Sequence, residues 1–306
     1  RRDRRSENLA AKAAGLLARL RDQCPADRAV HVCGDGGYTN STVLRNLPAN
    51  CVYIGRTRKD LALCLPVARQ EGPCGKGRPR KFGAPAPTPE ELLKDSATPW
   101  QEVRAHAAGK YHTFKVKTLG PVLWPKGCDT RPLRIVAVAP LGYRLVKGGR
   151  LHYRDPAYIL CTDPDLPVER ILQDYLRRWG IEVNFRDEKT LVGVGDAQVR
   201  TRESNRRLPA LLVGAYGLLR LAALRAMESG GQLDHLPAPA WRHPPASPPS
   251  LPSTGELLRI LRHEVLGQGI DASIYDRFGA TKPLATKWGK MPFGPPCLIG
   301  TTIQAS

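Results

Sequence analysis

The chain has 306 residues, of which 47 are Lys or Arg and 28 are Asp or Glu, so its formal net charge is +19. That length suggests about two domains, and a hydrophobic content of 42% can build an ordinary soluble core. Charge this lopsided opposes compaction and points outward to a polyanion, a nucleic acid or an acidic membrane surface.

No unbroken run of about 18 apolar residues occurs, which argues against a membrane span. The opening RRDRRSEN has no apolar stretch of the signal-peptide kind. The chain therefore reads as soluble and cytoplasmic, without a membrane partner. Eight cysteines are scattered with no C-x-x-C pair, a spacing that fits reduced structural thiols better than a zinc ribbon or a redox motif. The first residue is Arg1 and the only methionines are Met227 and Met291, so a removed or longer upstream segment is expected.

In chain order, Leu9, Ala13, Leu16, Leu17 and Leu20 recur at helical spacing and predict an amphipathic helix over 8–20. Ala29 to Cys33 reads as a buried strand ending at Asp35 among Gly34, Gly36 and Gly37. A short helix over 39–47, capped by Asn40 or Ser41, and a strand over 51–55 continue the grammar of a layered α/β core. Residues 70–100 are dense in Gly, Pro, Lys and Arg and read as a loop that a polyanion could order. From Tyr111 to Cys161 apolar and polar residues alternate, which predicts a β-rich insertion. Helical periodicity returns over 168–189 and 208–227. A Pro-rich stretch beyond Gly231 reads as a linker, followed by a short helix over 253–266.

Several chemical motifs fail. The glycines around Asp35 lack the third glycine of a dinucleotide fingerprint, and Gly77 stands where a P-loop needs Ser or Thr after Lys76. His263-Glu264 lacks a second histidine, and G-x-S-x-G is absent. Asp163 and Asp165 read as caps of the following helix rather than metal ligands.

One constellation survives. On a continuous helix over 168–189, Tyr175, Arg178, Glu182 and Lys189 share a stripe about 60° wide at roughly 100° per residue. A phenol, a guanidinium, a carboxylate and an ammonium do not make a core face. A lone carboxylate among cations suits a hard divalent cation, and its neighbours suit phosphates. The plainer alternative is a solvated face with an Arg178–Glu182 ion pair. A second carboxylate should come from the exit of a buried strand, where Asp35 stands. Gly34, Gly36 and Gly37 would let a nucleic-acid backbone approach it, though Asp35 can equally be a turn residue.

Tyr175-x2-Arg178-x3-Glu182-x6-Lys189 resembles the Tyr-Arg-Glu-Lys signature of bacterial insertion-sequence transposases of the DDE superfamily, in the insertion-sequence-four group, including the Trp179-x-Ile181-Glu182 core. Asp35 in VCGDGGYTN resembles the segment of that family's second catalytic Asp. The resemblance spans about residues 1–228. It implies an α/β fold with a ribonuclease-H-like core, its first strands missing here, interrupted by the β-rich insertion and extended by the Pro-rich C-terminal stretch.

It further implies DNA cleavage and strand transfer at transposon ends with two divalent ions, Mg2+ or Mn2+. Asp35 and Glu182 would be the catalytic, metal-binding carboxylates, and Tyr175, Arg178 and Lys189 would position the DNA. The partners implied are double-stranded transposon-end and target DNA and a second copy of the chain on DNA, in a bacterial, nucleoid-associated setting. The family's first catalytic Asp has no counterpart before Asp35, since neither Asp3, Asp22 nor Asp27 sits in a strand pattern. The expectation is that this chain does not cleave DNA alone.

Lys76, Arg78 and Arg80 form a further basic cluster that could track phosphates. Trp100, Trp124 and Tyr143 read as packing groups before stacking platforms. The expected organisation is 1–55 (first core part, with Asp35), 56–155 (basic loop and β insertion), 156–229 (second core part, with Glu182) and 230–306 (Pro-rich linker and short helix). The alternatives are an inactive transposase relic that only binds DNA and a related ribonuclease-H-like nuclease.

Overall fold

The computed structural model describes residues 8–67, 80–107, 110–228 and 252–267. The chain divides into two compact units, Arg1–Gly180 and Ile181–Ser306.

The first unit opens with helix α1 (Leu9–Gln23), whose Asn8 side chain accepts from the amides of Ala10 and Ala11. Strand β1 (Val30–Gly34) leads through a 3₁₀ turn (Gly36–Tyr38) to α2 (Ser41–Arg45) and β2 (Cys51–Arg56). Asn40 caps α2 by accepting from the Val43 amide. Two short strands, β3 (Leu63–Cys64) and β4 (Pro85–Ala86), precede α3 (Pro89–Lys94). Then come β5 (Gln101–Ala107), β6 (Lys110–Leu123), α4 (Pro125–Cys128) and β7 (Pro132–Val138). A small hairpin of β8 (Gly142–Arg144) and β9 (Leu151–Tyr153) is followed by β10 (Ala157–Cys161) and α5 (Val168–Arg177).

These strands form one mixed sheet in the order β1-β2-β10-β7-β6-β3-β4, with β5 paired to β6. Only β1 and β2 run parallel, in a register that sets Val30 beside Cys51 and Gly34 beside Gly55; the other pairs are antiparallel. Both faces are covered, which is why the central strands read as nearly continuous apolar runs. Tyr53, Leu133, Ile135, Ala137 and Leu160 point to the side of α1 to α4. Their neighbours Ile54, Val136, Val138, Ile159 and Cys161 point to the other side, where Ile171 and Leu172 of α5 close the core.

The structure departs from the sequence reading in several places. The β-rich stretch continues the sheet of β1, β2 and β10, because β7 pairs with β10 across the boundary expected at 155/156 and β6 pairs with β7. The stretch read as a loop contains α3, with Thr88 and Glu91 closing a reciprocal capping box. The helix expected over 168–189 is two helices, α5 and α6 (Gly180–Thr190), separated at Arg178 and Trp179. At the break the amides of Arg178 and Trp179 bond back three residues, to Tyr175 and Leu176, tightening the last turn of α5. Neither Asp163 nor Asp165 caps α5, whose N-cap is Pro167; Asp163 instead accepts from the Asp165 amide at 2.9 Å and closes a turn. The Pro-rich linker lies outside the described residues.

The second unit is helical: α6, then α7 (Arg202–Glu228) and α8 (Thr254–Gly267). Ala223 and Ala226 of α7 pack on Leu257 and Ile260 of α8. The buried Tyr216 hydroxyl donates to Asn184 of α6 at 3.2 Å and lies 3.2 Å from the Thr254 hydroxyl. One phenolic proton serves Asn184, so Thr254 donates to Tyr216, and a single side chain ties the three helices. By length and composition α7 is apolar enough to cross a membrane over Arg202–Met227. Arg220 interrupts this otherwise apolar stretch.

Candidate functional site

Asp35 follows β1 directly and accepts from the Gly36 amide at 2.7 Å, capping the 3₁₀ turn. Because β1 and β2 are parallel and Gly34 pairs with Gly55, Asp35 and Arg56 leave the same end of the sheet side by side. Against Gly34 and Gly55 lies the Tyr53 phenol, hydrogen-bonded to the Thr39 hydroxyl at 3.1 Å and pushed up to about 12, chiefly by burial.

Gly34 and Gly55 exist to admit this ring. A Cβ on Gly34 would stand 2.1 Å from the Tyr53 Oη, and one on Gly55 would stand 2.5 Å from its ring. Gly34 is therefore a packing requirement and not, as expected, an opening for nucleic acid. Gly37 faces open space, and a Cβ on Gly36 would meet only the Arg56 carbonyl oxygen at 3.7 Å.

Helix α5 brings Tyr175 and Arg178 to this end of the sheet. Their placement rests on two anchors in the residues just before Tyr175. The buried Asp174 carboxylate accepts from His31 Nδ1 of β1 at 2.6 Å and from Arg170 at 2.8 Å, while Cys33 Sγ donates to the Asp174 carbonyl oxygen at 3.1 Å. Gln173 clamps the backbone of His106 in β5, accepting from its amide at 2.9 Å and donating to its carbonyl oxygen at 3.1 Å.

Thus held, the Tyr175 phenol is raised by burial first, pulled down by the charges of Arg178 and Arg56, and pushed up by Asp35. The Arg178 guanidinium lies 5.9 Å from the Tyr175 ring centre. The structure therefore places Arg178 beside Tyr175, with Asp35 and Arg56 within electrostatic reach of its phenol. Burial pushes the Cys33 thiol up to about 11, which makes it a structural thiol and not a nucleophile.

Glu182 and Lys189 belong to α6 in the second unit, where they lie seven residues apart and exposed, hence on one face of that helix. A stripe running unbroken from Tyr175 to Lys189 presumed one continuous helix, and the break after Arg177 removes that premise. Arg80 is exposed in the segment leading to β4, the strand at the opposite end of the sheet order from β1. Lys76 and Arg78 lie outside the described residues. Trp100 sits 4.6 Å from the buried Lys117 ammonium, and Trp124 packs against the core, so both serve packing.

The residues that sequence reasoning missed are His31, Cys33, Arg56 and Asp174. The alternation of VHVCG already placed His31 and Cys33 on one face of β1. Arg56 could have been found only from the β1–β2 register.

The fold is a mixed α/β sheet with one carboxylate, a phenol and two guanidinium groups at the carboxyl end of its parallel strand pair. The model of the transposase DDE domain matches residues 4–218, well over half of the chain, which therefore belongs to the DDE transposase family. Transposase function, with DNA as the partner, follows from that membership. No curated protein gives a match.

Members of the family generally use divalent metal ions. The described residues do not by themselves fit such an ion: no three His, Cys, Asp or Glu side chains among them form a metal-binding group.

Proposed function

We propose that the chain is an insertion-sequence transposase of the insertion-sequence-four-like group, built on a ribonuclease-H-like core and acting on transposon-end and target DNA beside the bacterial nucleoid. In this reading the resemblance gives Asp35 and Glu182 each the role of a catalytic carboxylate that binds a divalent cation, and the family's first Asp is assigned to no residue of the chain. Tyr175, Arg178 and Lys189 hold DNA phosphates. What supports the reading above all is the delivery of Tyr175 and Arg178 by α5 to the strand tip that carries Asp35. The chemistry of these side chains is positioning. Arg178 and Arg56 attract and neutralise a phosphodiester beside Asp35, and the Tyr175 phenol, raised by burial, keeps its proton at neutral pH and donates to a phosphate oxygen.

A second reading, a relic that binds DNA without cleaving it, draws on the missing third ligand among the described residues. Incubating the purified chain with supercoiled plasmid and Mg2+ or Mn2+ tests whether the chain holds a complete site. No nicking is expected of this chain alone. Nicking that disappears in Glu182→Gln would overturn the assignment of a missing carboxylate and establish a complete site.

A further inference from the structure

A cavity of about 610 Å³ opens beside Asp35, bounded by Gly36 of the 3₁₀ turn, by the exit of β2 with Arg56 and Arg58, and by Trp124 and Lys126 at the start of α4. Its size is within the usual range for a cleft that takes a ligand, about 300–1,000 Å³. Three cations and one carboxylate, Asp60, line it. That carboxylate is already engaged by Arg58, through Nε at 2.9 Å and Nη2 at 2.6 Å. The cavity lining therefore carries a net excess of about two positive charges, three cations against one carboxylate. Trp124 gives it a stiff apolar wall, since a Cβ on Gly127 would stand 2.0 Å from the ring.

We infer that this cleft is a phosphodiester subsite in which a DNA strand leaving the Asp35 site lays successive phosphates on Arg56, Arg58 and Lys126. The inference rests on the transposase reading and extends it to residues outside the Tyr-Arg-Glu-Lys constellation. A polymer suits the cleft because its cations come from two elements, Arg56 and Arg58 at the exit of β2 and Lys126 in α4, so that one strand can place successive phosphates on them. The Trp124 wall suits the sugar face of the strand.

The test is fluorescence-anisotropy titration of labelled duplex DNA with the full chain at several salt concentrations. The variants are Arg58→Ala/Lys126→Ala, the charge-retaining Arg58→Lys/Lys126→Arg, and Lys147→Ala on the β8–β9 connection as a control. The double alanine variant is expected to bind about ten-fold more weakly and to flatten the salt dependence by about two phosphates. The charge-retaining pair should restore most of the slope, and the control should match the parent.

Arg178→Ala, measured in parallel, separates the two levels of the argument. If the parent binds DNA, Arg178→Ala weakens it and the double alanine variant does not, the subsite falls and the transposase reading stands. If the parent shows no salt-dependent affinity, both fall. Displacement of the DNA by a mononucleotide at matching affinity would overturn the polymer assignment in favour of a free-phosphate pocket.

Discussion

Gly34 and Gly55 face each other across β1 and β2, and the space a methyl group would fill at either is taken by Tyr53. Tyr53 has no room to turn away, because its ring is buried in the core formed by Val43, Leu44 and Leu160. Gly34→Ala should therefore destabilise the fold by about 1–3 kcal/mol, the usual cost of forcing a group into a packed core. Gly37→Ala, whose Cβ meets nothing, should stay near neutral. Urea melts of the two variants check this; equal stabilities would show that Tyr53 yields.

The Asp174 carboxylate is the second informative residue. Burial pushes it up, but hydrogen bonds from His31 and Arg170 outweigh burial and hold it below the ordinary value. A carboxyl depressed on folding contributes stability above its unfolded pKa, about 3.9, and loses that contribution as pH falls through the folded value. Asp174→Ala should cost about 1.5–3 kcal/mol at neutral pH, in the range for hydrogen bonds to a charged group. The difference from the parent should shrink as acid is added. A gap that stays constant down to the acid limit would mean that the residue acts through packing and not through charge.

At the scale of elements, alternation and capping were the readable signals. The apolar positions predicted α1, β1 and β2, and Asn40 marked the start of α2, because each of these depends on neighbours within a few residues. The capping box of α3 was equally local, yet the surrounding Pro and Gly residues obscured it. Strand β5 was overlooked because only Val103 and Ala105 point inward, between Glu102, Arg104 and His106.

What the sequence could not reveal were facts of register. Among them are the pairing that sets Arg56 beside Asp35 and the joining of the β-rich stretch to the sheet of β1. The division of the helix at Arg178 and Trp179 belongs between these kinds. The periodicity of YLRRWGIEVNF runs through it, and Gly180 is the local sign of a new start. A Cβ on Gly180 would find nothing within 4 Å, so Gly180→Ala adds no clash and removes freedom from the unfolded chain. It should stabilise the protein by about 0.4–1 kcal/mol, read as a raised melting temperature. Destabilisation would show that the break needs glycine for its geometry.

For the whole molecule the governing quantity is the net charge of +19. A polycation that binds DNA releases condensed counterions, and the logarithm of its affinity falls with that of salt by about 0.9 per phosphate neutralised. Charge alone gives a steep slope without saying which cations make the contacts, so the slope has to be read variant by variant. Lys189 and Glu182 lie on one face of α6 and provide opposite cases. Lys189→Ala should weaken binding to duplex DNA and reduce the slope by about one phosphate. Glu182→Gln removes a negative charge from the same face and should leave binding intact or slightly tighter, while abolishing cleavage in any assembly that cleaves. Titrations of both variants across a range of salt, with circular dichroism to confirm folding, measure the two effects together. Unchanged affinity and slope for Lys189→Ala would take α6 out of the DNA contact. Weakened binding in Glu182→Gln would make that carboxylate a support of the fold and not a ligand for a cation. Only the combination of a lost phosphate at Lys189 and a binding-neutral Glu182 fits a helix that meets DNA with one residue and prepares its cleavage with the other.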